Sequence, residues 1–302
     1  MRKFIIKSSV FSIVSLLFFL FVFSMADGNT DPFYIRFTTP KQESLILGTS
    51  KAAQGLQPDI FNKLCNTNLY NYAFTLGHSP FGATYLNSIK KKLKKESKSG
   101  IFIITVDPWS ISSQSENPND SISFKEVNRC LGNTIFVNIK PNIIYLVNNY
   151  DSKFYTILSK KRGHNVYLHE NGWLEVSVDM DSIKVNNRIN TKIKTYRTEH
   201  LPAYKYSSLR FKYLQKTIEY LNNFGEVYLI RLPIHHRMMK VENDLMPDFN
   251  HKIEALIPMT NGYLDMTIFN NDYHYIDGNH LYKSSGKKVS EKIAQWINKT
   301  NK

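Results

Sequence analysis

The feature that most constrains the fold is a series of short, apolar runs separated by stretches with helical spacing. The clearest run is Ile101–Val106, and runs of this kind are typical of parallel strands covered by helices on both faces. The preceding stretch, 83–98, repeats apolar residues at helical spacing and predicts a helix. Further strands are predicted at 44–48, 69–73, 227–232 and 263–266, and further helices at 58–64, 207–223, 239–257 and 284–299. This alternation predicts an α/β protein, a three-layer α/β/α domain around a parallel sheet.

The amino-terminal segment predicts export. Arg2, Lys3 and Lys7 precede an apolar run at 10–23, and the small residues of Ser24-Met25-Ala26 are spaced like a cleavage site. Residues 1–26 therefore read as a signal peptide. An uncleaved membrane anchor stays open, because 8–26 is nearly long enough to span a bilayer. Either alternative places the protein outside the cytoplasm, whether periplasmic, extracellular or anchored to the outer face of the inner membrane.

The remaining chain predicts one domain with an insertion. Residues 27–42 are polar, contain Pro32 and Pro40, and are interpreted as a linker or a leading extension. Residues 43–302 form the domain, and the alternation of strands and helices is interrupted at about 114–204. We expect this insertion, which includes a predicted hairpin at 163–176, to lie beside the mouth of the active site. It is either a lid or acceptor-binding wall, or ordinary loop elaboration.

Charge and cysteine content limit the classes of partner. The net charge of +14 favours anionic surroundings such as phosphate-bearing polymers. Its densest cluster, at 90–98, is predicted to be a solvated helix face, and the export signal argues against nucleic acid. Cys65 and Cys130 could pair in an oxidising compartment, but two cysteines are too few for a disulfide scaffold.

Two short motifs carry the candidate chemistry. Ser50 follows a predicted strand and Gly48, and it stands where the next helix begins. The unpaired amides of a helix start can receive the negative charge that develops when a hydroxyl attacks an ester. Asp277 and His280, three residues apart near the other end, are the carboxylate and imidazole that a nucleophilic serine requires. The alternative is a simple strand-to-helix turn with a capping serine.

These motifs resemble a known superfamily. Leu47-Gly48-Thr49-Ser50 with 54–58, and 277–281 with Gly286, resemble the SGNH (GDSL-type) hydrolases, and more narrowly exported SGNH-like proteins related to cell-envelope O-acyltransferases. The resemblance covers about 43–299 and implies a flavodoxin-like sheet. It also implies an oxyanion hole built from the Ser50 amide, a glycine amide best matched by Gly77, and an asparagine after the third strand. That asparagine is missing, since 105–110 reads Thr-Val-Asp-Pro-Trp-Ser, and the departure suits the acyltransferase branch better than efficient hydrolysis.

Three further residues are candidates for lining the site. Asp107 follows a predicted strand and Arg231 lies at the carboxyl end of another, where ligands of parallel sheets bind. Trp109 could stack on a sugar ring. The alternatives are a turn residue before proline for Asp107 and a core aromatic for Trp109.

The other histidines carry less weight as site residues. His235 and His236 have no ligand at convincing spacing, so no metal is assigned, and no cofactor is implied. His274 could compete with His280 as the base, but it lacks an aspartate three residues before it.

The expected function is an exported, serine-dependent O-acyl transferase or esterase, with acetyl as the expected group. The expected partner is a polysaccharide or another acylated envelope polymer, and a membrane-bound protein could supply the acyl group. The alternative from another class is a non-catalytic glycan-binding or assembly protein on a degenerate SGNH scaffold.

Overall fold

The computed structural model describes residues 1–159 and 165–300 of the 302-residue chain. Its strands are β1 (Ser44–Leu47), β2 (Leu69–Asn71), β3 (Gly100–Thr105), β4 (Ser112–Ser113), β5 (Val166–Leu168), β6 (Leu174–Val176), β7 (Lys205–Tyr206), β8 (Gly225–Arg231) and β9 (Gly262–Asp265). Its α-helices are α1 (Arg2–Ser24), α2 (Ser50–Gly55), α3 (Pro58–Cys65), α4 (Ala83–Lys92), α5 (Cys130–Asn133), α6 (Ile143–Asn149), α7 (Ser182–Thr195), α8 (Leu201–Ala203), α9 (Ser208–Leu221), α10 (His236–Leu245), α11 (Phe249–Glu254) and α12 (Lys283–Thr300). A π-helical turn, Tyr196–His200, joins α7 to α8, and 3₁₀ turns occur at Tyr34–Phe37, Pro108–Ile111, Lys125–Asn128, Phe154–Ile157, Ile257–Met259 and Thr267–Phe269.

A five-stranded sheet forms the centre of the domain. Its order is β2-β1-β3-β8-β9, and every pair in it is parallel. Strands β1 and β8, which flank the central strand β3, are buried on both faces over most of their length, because helices cover the sheet from both sides. The prediction of an α/β domain with a parallel sheet is therefore confirmed. The strand order has a switch point between β1 and β3, because β2 lies on one side of β1 and β3 lies on the other. At such a switch point the carboxyl ends of the strands leave a crevice.

Two predicted helices differ from the structure. The helix predicted at 83–98 ends at Lys92, because Gln42 accepts from Lys94 N–H at 2.8 Å and donates to Lys92 O at 2.9 Å, which draws the chain into an extended bridge. The helix predicted at 239–257 is two helices, α10 and α11. Met246, which precedes Pro247, has a non-helical backbone, as expected before proline.

The segment 27–42 belongs to the domain and is not a free linker. Tyr34, Ile35 and Phe37 are completely buried. The guanidinium of Arg36, also buried, donates to the backbone carbonyls of Asn71, Pro32 and Gly172 at 2.7–3.1 Å. Proline content suggested a linker, but the apolar residues of this segment contribute to the core.

The two ends of the insertion at about 114–204 lie next to each other. β4 and β7 pair in an antiparallel ribbon, so the residues just before and just after the insertion lie side by side. Within the insertion, β5 and β6 form an antiparallel hairpin, as predicted, while residues 163 and 164 of that prediction lie outside the described residues. Cys65 and Cys130 are free thiols.

The amino-terminal helix α1 is long and apolar enough to cross a membrane. This agrees with the expected signal peptide or anchor, and both alternatives give such a helix.

Candidate active site

Ser50 stands at the start of α2, directly after a turn that requires glycine. Gly48 has φ of +140°, and a Cβ there would lie 1.9 Å from Thr105 Oγ1 on the neighbouring strand β3. The N–H groups of Ala52 and Ala53 both donate to Thr49 O at 3.0 Å. The amides of Ser50 and Lys51 therefore precede the first helical hydrogen bond, and they point out of the helix start.

His280 contacts both Ser50 and Asp277. Its Nε2 lies 2.8 Å from Ser50 Oγ, and its Nδ1 lies 2.9 and 3.0 Å from the two carboxylate oxygens of Asp277. An ionised carboxylate only accepts hydrogen bonds, so Nδ1 carries the proton and Nε2 accepts from the serine hydroxyl. The structure thus brings the three predicted residues into one hydrogen-bonded chain.

The spacing of Asp277 and His280 follows from a compact turn. Asp277 Oδ1 also accepts from the backbone N–H groups of Asn279 and His280, each at 3.0 Å. Gly278 has φ of +85°, a left-handed conformation that glycine adopts readily. The carboxylate therefore fixes the backbone of the loop as well as the imidazole.

The charge of Asp277 is strongly favoured. Burial by itself raises the pKa of this carboxyl, but the attraction and hydrogen bond of His280 and the charge of Lys192 outweigh it and hold the pKa well below 3.8. Lys192 Nζ lies 3.3 Å from Asp277 Oδ2. Asp277 is therefore ionised at neutral pH, where it orients the imidazole.

Helix α7 of the insertion packs on this loop, a contact that sequence reasoning missed. Arg188 Nε donates to Ile276 O at 2.8 Å, and the side chain of Ile189 lies against Gly278. After α7, the Tyr196 hydroxyl accepts from Asn279 Nδ2 at 3.2 Å. The available signal was the cap at Asp181, which accepts from two backbone amides of the first turn, followed by apolar residues at helical spacing.

Asp107 and Arg231 belong to a buried ion cluster next to Ser50. Lys51 Nζ contacts Asp107 Oδ2 at 3.2 Å and makes a very short contact with Glu242. Glu242 also faces Arg231 at 3.4 Å. Burial by itself lowers the pKa of Lys51, but the two carboxylates outweigh it and raise the pKa. Asp107 and Glu242 thus hold Lys51, the residue that follows the serine, while Arg231 is connected to it only through Glu242.

Trp109 and Gly77 lie in surroundings that differ from the expectation. Trp109 is buried, with its ring packed edge-on against Tyr196 and Tyr204, so it offers no open face to a sugar. Gly77 lies in the turn 76–78, where a Cβ would meet the guanidinium of Arg129 at 2.3 Å. The proposed role of Gly77 as an oxyanion donor stays a prediction.

The hairpin β5–β6 borders α2. Trp173, just before β6, donates from Nε1 to Gln54 O at 2.9 Å, and its half-buried ring stacks on His169 with 4.7 Å between centroids. Glu175 binds Lys283 Nζ at 2.9 Å, and this contact outweighs burial and lowers the pKa of Glu175 to about 2. Two parts of the insertion, this hairpin and α7, therefore contact the elements that carry the triad.

The other histidines make structural contacts. His274 is exposed, so of the two candidate bases only His280 contacts the serine. His235 caps α10 by accepting from Arg237 N–H at 3.3 Å, and its ring packs on His236. Within 1–159 and 165–300, no three His, Cys, Asp or Glu residues gather as a group that could hold a metal ion.

A cavity of about 660 Å³ lies apart from the triad, between the end of α1 and the insertion. Its lining includes Met25, Phe33, His78 and Tyr145, and none of the three triad residues. The candidate active site is therefore identified by the hydrogen bonds of the triad and does not coincide with this cavity.

The site provides a hydroxyl, an imidazole oriented by an ionised carboxylate, and two amides at a helix start. Acyl transfer through a covalent serine intermediate uses groups of this kind. Comparison with protein-family models and with curated proteins finds no match to this chain.

Proposed function

We propose that this protein is an exported, serine-dependent O-acyl transferase or esterase that acts on an envelope or secreted polysaccharide. The observation that carries the proposal is the hydrogen-bonded chain from Ser50 Oγ through His280 to Asp277, with 2.8 Å between Ser50 Oγ and His280 Nε2. The strand order, with the serine after β1, supports an SGNH-like scaffold.

In the proposed mechanism, His280 Nε2 takes the proton of Ser50 as Oγ attacks the acyl carbonyl. The resulting oxyanion is stabilised by the amides of Ser50 and Lys51, and collapse releases the donor's leaving group, which takes the proton from His280. A sugar hydroxyl or water then attacks the acyl carbonyl as His280 takes its proton, the bond between the acyl carbon and Ser50 Oγ breaks, and His280 returns the proton to Ser50 Oγ. A sugar acceptor makes the protein a transferase, and water makes it an esterase.

The position of the insertion supports the proposal that the acyl acceptor is a carbohydrate. The hairpin β5–β6 and helix α7 contact α2 and the Asp277–His280 loop, so they form walls near the serine. A wall that holds a sugar hydroxyl near the acyl-enzyme raises its effective concentration over that of water. We therefore favour transfer to a glycan, with acetyl as the transferred group.

The second candidate is a non-catalytic glycan-binding or assembly protein. The observation that favours it lies after β3, where an asparagine donor is expected and Asp107 stands instead. The carboxylate of Asp107 accepts from Ser110 N–H at 2.9 Å and pairs with Lys51, and a carboxylate cannot donate to an oxyanion.

Labelling with a fluorophosphonate probe separates the two candidates, because the probe reacts with an activated serine. We expect stoichiometric labelling of the wild-type protein at Ser50, identified by peptide mass spectrometry, and loss of labelling in Ser50→Ala and His280→Ala. Ser182→Ala, at the exposed start of α7, is the matched control and should label as the wild type. A folded wild-type protein that does not label would support the non-catalytic candidate.

A second experiment separates transferase from esterase. With an acetyl donor alone, a transferase should consume the donor slowly, and an oligosaccharide acceptor should accelerate consumption and become acetylated. Rapid release of acetate that no glycan accelerates would establish the esterase.

A further inference from the structure

The carboxyl end of α1 is part of the folded domain. Val22, Phe23 and Ala26 are buried among the core residues. The ring of Phe23 packs edge-on against Phe154 of the insertion, with 5.1 Å between centroids. Cleavage after Ala26 would remove these side chains and uncover Phe154.

The chain that leaves α1 is also held tightly. Gly28 O accepts from Leu168 N–H of β5 at 3.0 Å, and a Cβ at Gly28 would lie 2.0 Å from Leu168 O. Only glycine fits such a close approach of two backbones. The direction in which α1 leaves the domain is therefore fixed by contacts on both sides of Ala26.

The rest of α1 is exposed and apolar. Its 23 residues give a length of about 35 Å at 1.5 Å per residue, which matches a hydrocarbon core of about 30 Å. Val10, Phe11 and Leu16 are among its exposed side chains. Arg2 and Lys3 mark the far end, and basic flanks stay on the cytoplasmic side, which places the domain on the outer side.

Exposed apolar side chains also occur on α6, and Tyr150, directly after this helix, stacks on Phe154 with 6.2 Å between ring centroids. On α6, Tyr145 and Leu146 are buried, while Ile143 and Val147, four residues apart on the opposite side, are exposed, Val147 by 60%. A short helix that is apolar on both sides is unusual at a water-facing surface.

The 3₁₀ turn Phe154–Ile157 shows the same division. Phe154 and Ile157 face α1 and the core, whereas Tyr155 is 64% exposed and Leu158 is exposed beside it. Lys153 Nζ lies 6.0 Å from the Tyr155 ring. Tyrosine and lysine beside apolar side chains are typical of a membrane interface, where the ring and the ammonium reach the headgroups.

We propose that α1 is retained as a membrane anchor, and that the face formed by Ile143, Val147, Tyr155 and Leu158, the anchor-side face, lies on the same bilayer. Phe154 connects the two features, because it packs on Phe23 at the end of α1 while its neighbour Tyr155 points outward. The anchor-side face is thus held beside the point where α1 leaves the domain, and the lipid surface there covers it.

The proposal is tested on the full chain reconstituted in liposomes. Nitroxide labels are attached to single cysteines at Val147 and Tyr155 in a Cys65→Ser background, with Ile268, 79% exposed in the turn after β9, as the matched control. Cys130 is buried and stays in place. Collision rates with lipid-soluble oxygen and with a water-soluble nickel chelate report the depth of each label.

We expect a several-fold higher oxygen-to-nickel ratio at 147 and 155 than at 268, and an intact mass that includes residues 1–26 in the membrane fraction. Labels at Ile143 and Leu158 serve as the second pair if the first pair lowers the melting temperature. A water-like ratio at both pairs, or a chain that begins after Ala26, would overturn the proposal. If the labels stay shielded from the nickel chelate in detergent and the protein there has the mass of a dimer, the anchor-side face would be assigned to a second copy of the chain. That result would also overturn the proposal.

Discussion

Removing the charge of Lys192 should shift the pH dependence of the serine's reactivity. Lys192 Nζ lies 3.3 Å from Asp277 Oδ2, and the same oxygen lies 2.9 Å from His280 Nδ1. The ammonium of Lys192 repels a positive charge on the imidazole. It also competes with the imidazolium for the carboxylate oxygen of Asp277. Lys192→Met removes both effects, so the imidazolium form of His280 should be more stable in the variant than in the wild type. The base must be neutral to activate Ser50. The acidic limb of the plot of reactivity against pH should therefore shift to higher pH.

The size of this shift follows from the distance between the charges. The ammonium and the ring nitrogen share one oxygen as partner, so they are at most 6.2 Å apart, the total of the two distances above. At ~6 Å, two unit charges interact by about 0.7 kcal/mol in water and about 1.4 kcal/mol at an effective dielectric constant of ~40. This corresponds to a shift of about 0.5 to 1 pH unit. Lys192 is 32% exposed, so solvent screening favours the lower half of that range.

The assay is the second-order rate of fluorophosphonate labelling between pH 5 and pH 9, which needs no knowledge of donor or acceptor and presupposes the triad proposed above. On the acidic limb, Lys192→Met should label about three- to ten-fold more slowly than the wild type, with little difference at high pH. Lys184→Met is the matched control, because Lys184 also lies on α7 and also pairs with an aspartate, Asp179 at 2.6 Å. An unchanged limb, a downward shift, or the same shift in Lys184→Met would refute the electrostatic coupling.

Three further changes have defined outcomes. Asp277→Asn should leave a small fraction of the labelling rate, whereas His280→Ala should leave none, because the amide spares the imidazole but removes its orienting charge. Lys51→Met should lower the free energy of unfolding in urea by about 3–5 kcal/mol, because it leaves the buried carboxylate of Asp107 without a cation and that of Glu242 with Arg231 alone, and adding Asp107→Asn should recover part of the loss. Trp173→Ala should reduce transfer to a glycan more than hydrolysis of the donor, measured as acetylated sugar against free acetate, because the indole joins the hairpin to α2 through its hydrogen bond to Gln54 O; an equal loss of both would place Trp173 outside the acceptor wall.

Much of the sheet could be predicted because its signal is local. Ile101–Val106 is a short run with apolar residues on both faces, as is typical of a strand covered on both sides by helices. The position of Ser50 followed from Gly48 and the helix formers after it. The pairing of Asp277 with His280 followed from their spacing, since a carboxylate can reach the imidazole three residues on within one turn.

The contacts that could not be predicted join residues far apart in the chain. Lys192 looks like any lysine on an exposed helix, and only tertiary packing places it on Asp277, 85 residues later. Asp107 was also predicted to line the crevice, but its carboxylate pairs with Lys51 of helix α2, which is distant in the sequence. Pairwise spacing carries no information about such contacts, because they depend on how the insertion folds back over the sheet.

The same long-range contacts connect the anchor to the proposed active site. Gly28, just after α1, binds β5, and the hairpin β5–β6 binds α2 through Trp173 and Gln54. Ser50 begins that same helix, so only one hairpin lies between the end of α1 and the nucleophile. The first contact is a backbone hydrogen bond and the second is a hydrogen bond from a half-buried indole. These contacts leave the domain little freedom to move relative to α1. If α1 spans a bilayer, Ser50 is held at a fixed height above it, where a membrane-bound acyl donor would have to present its ester.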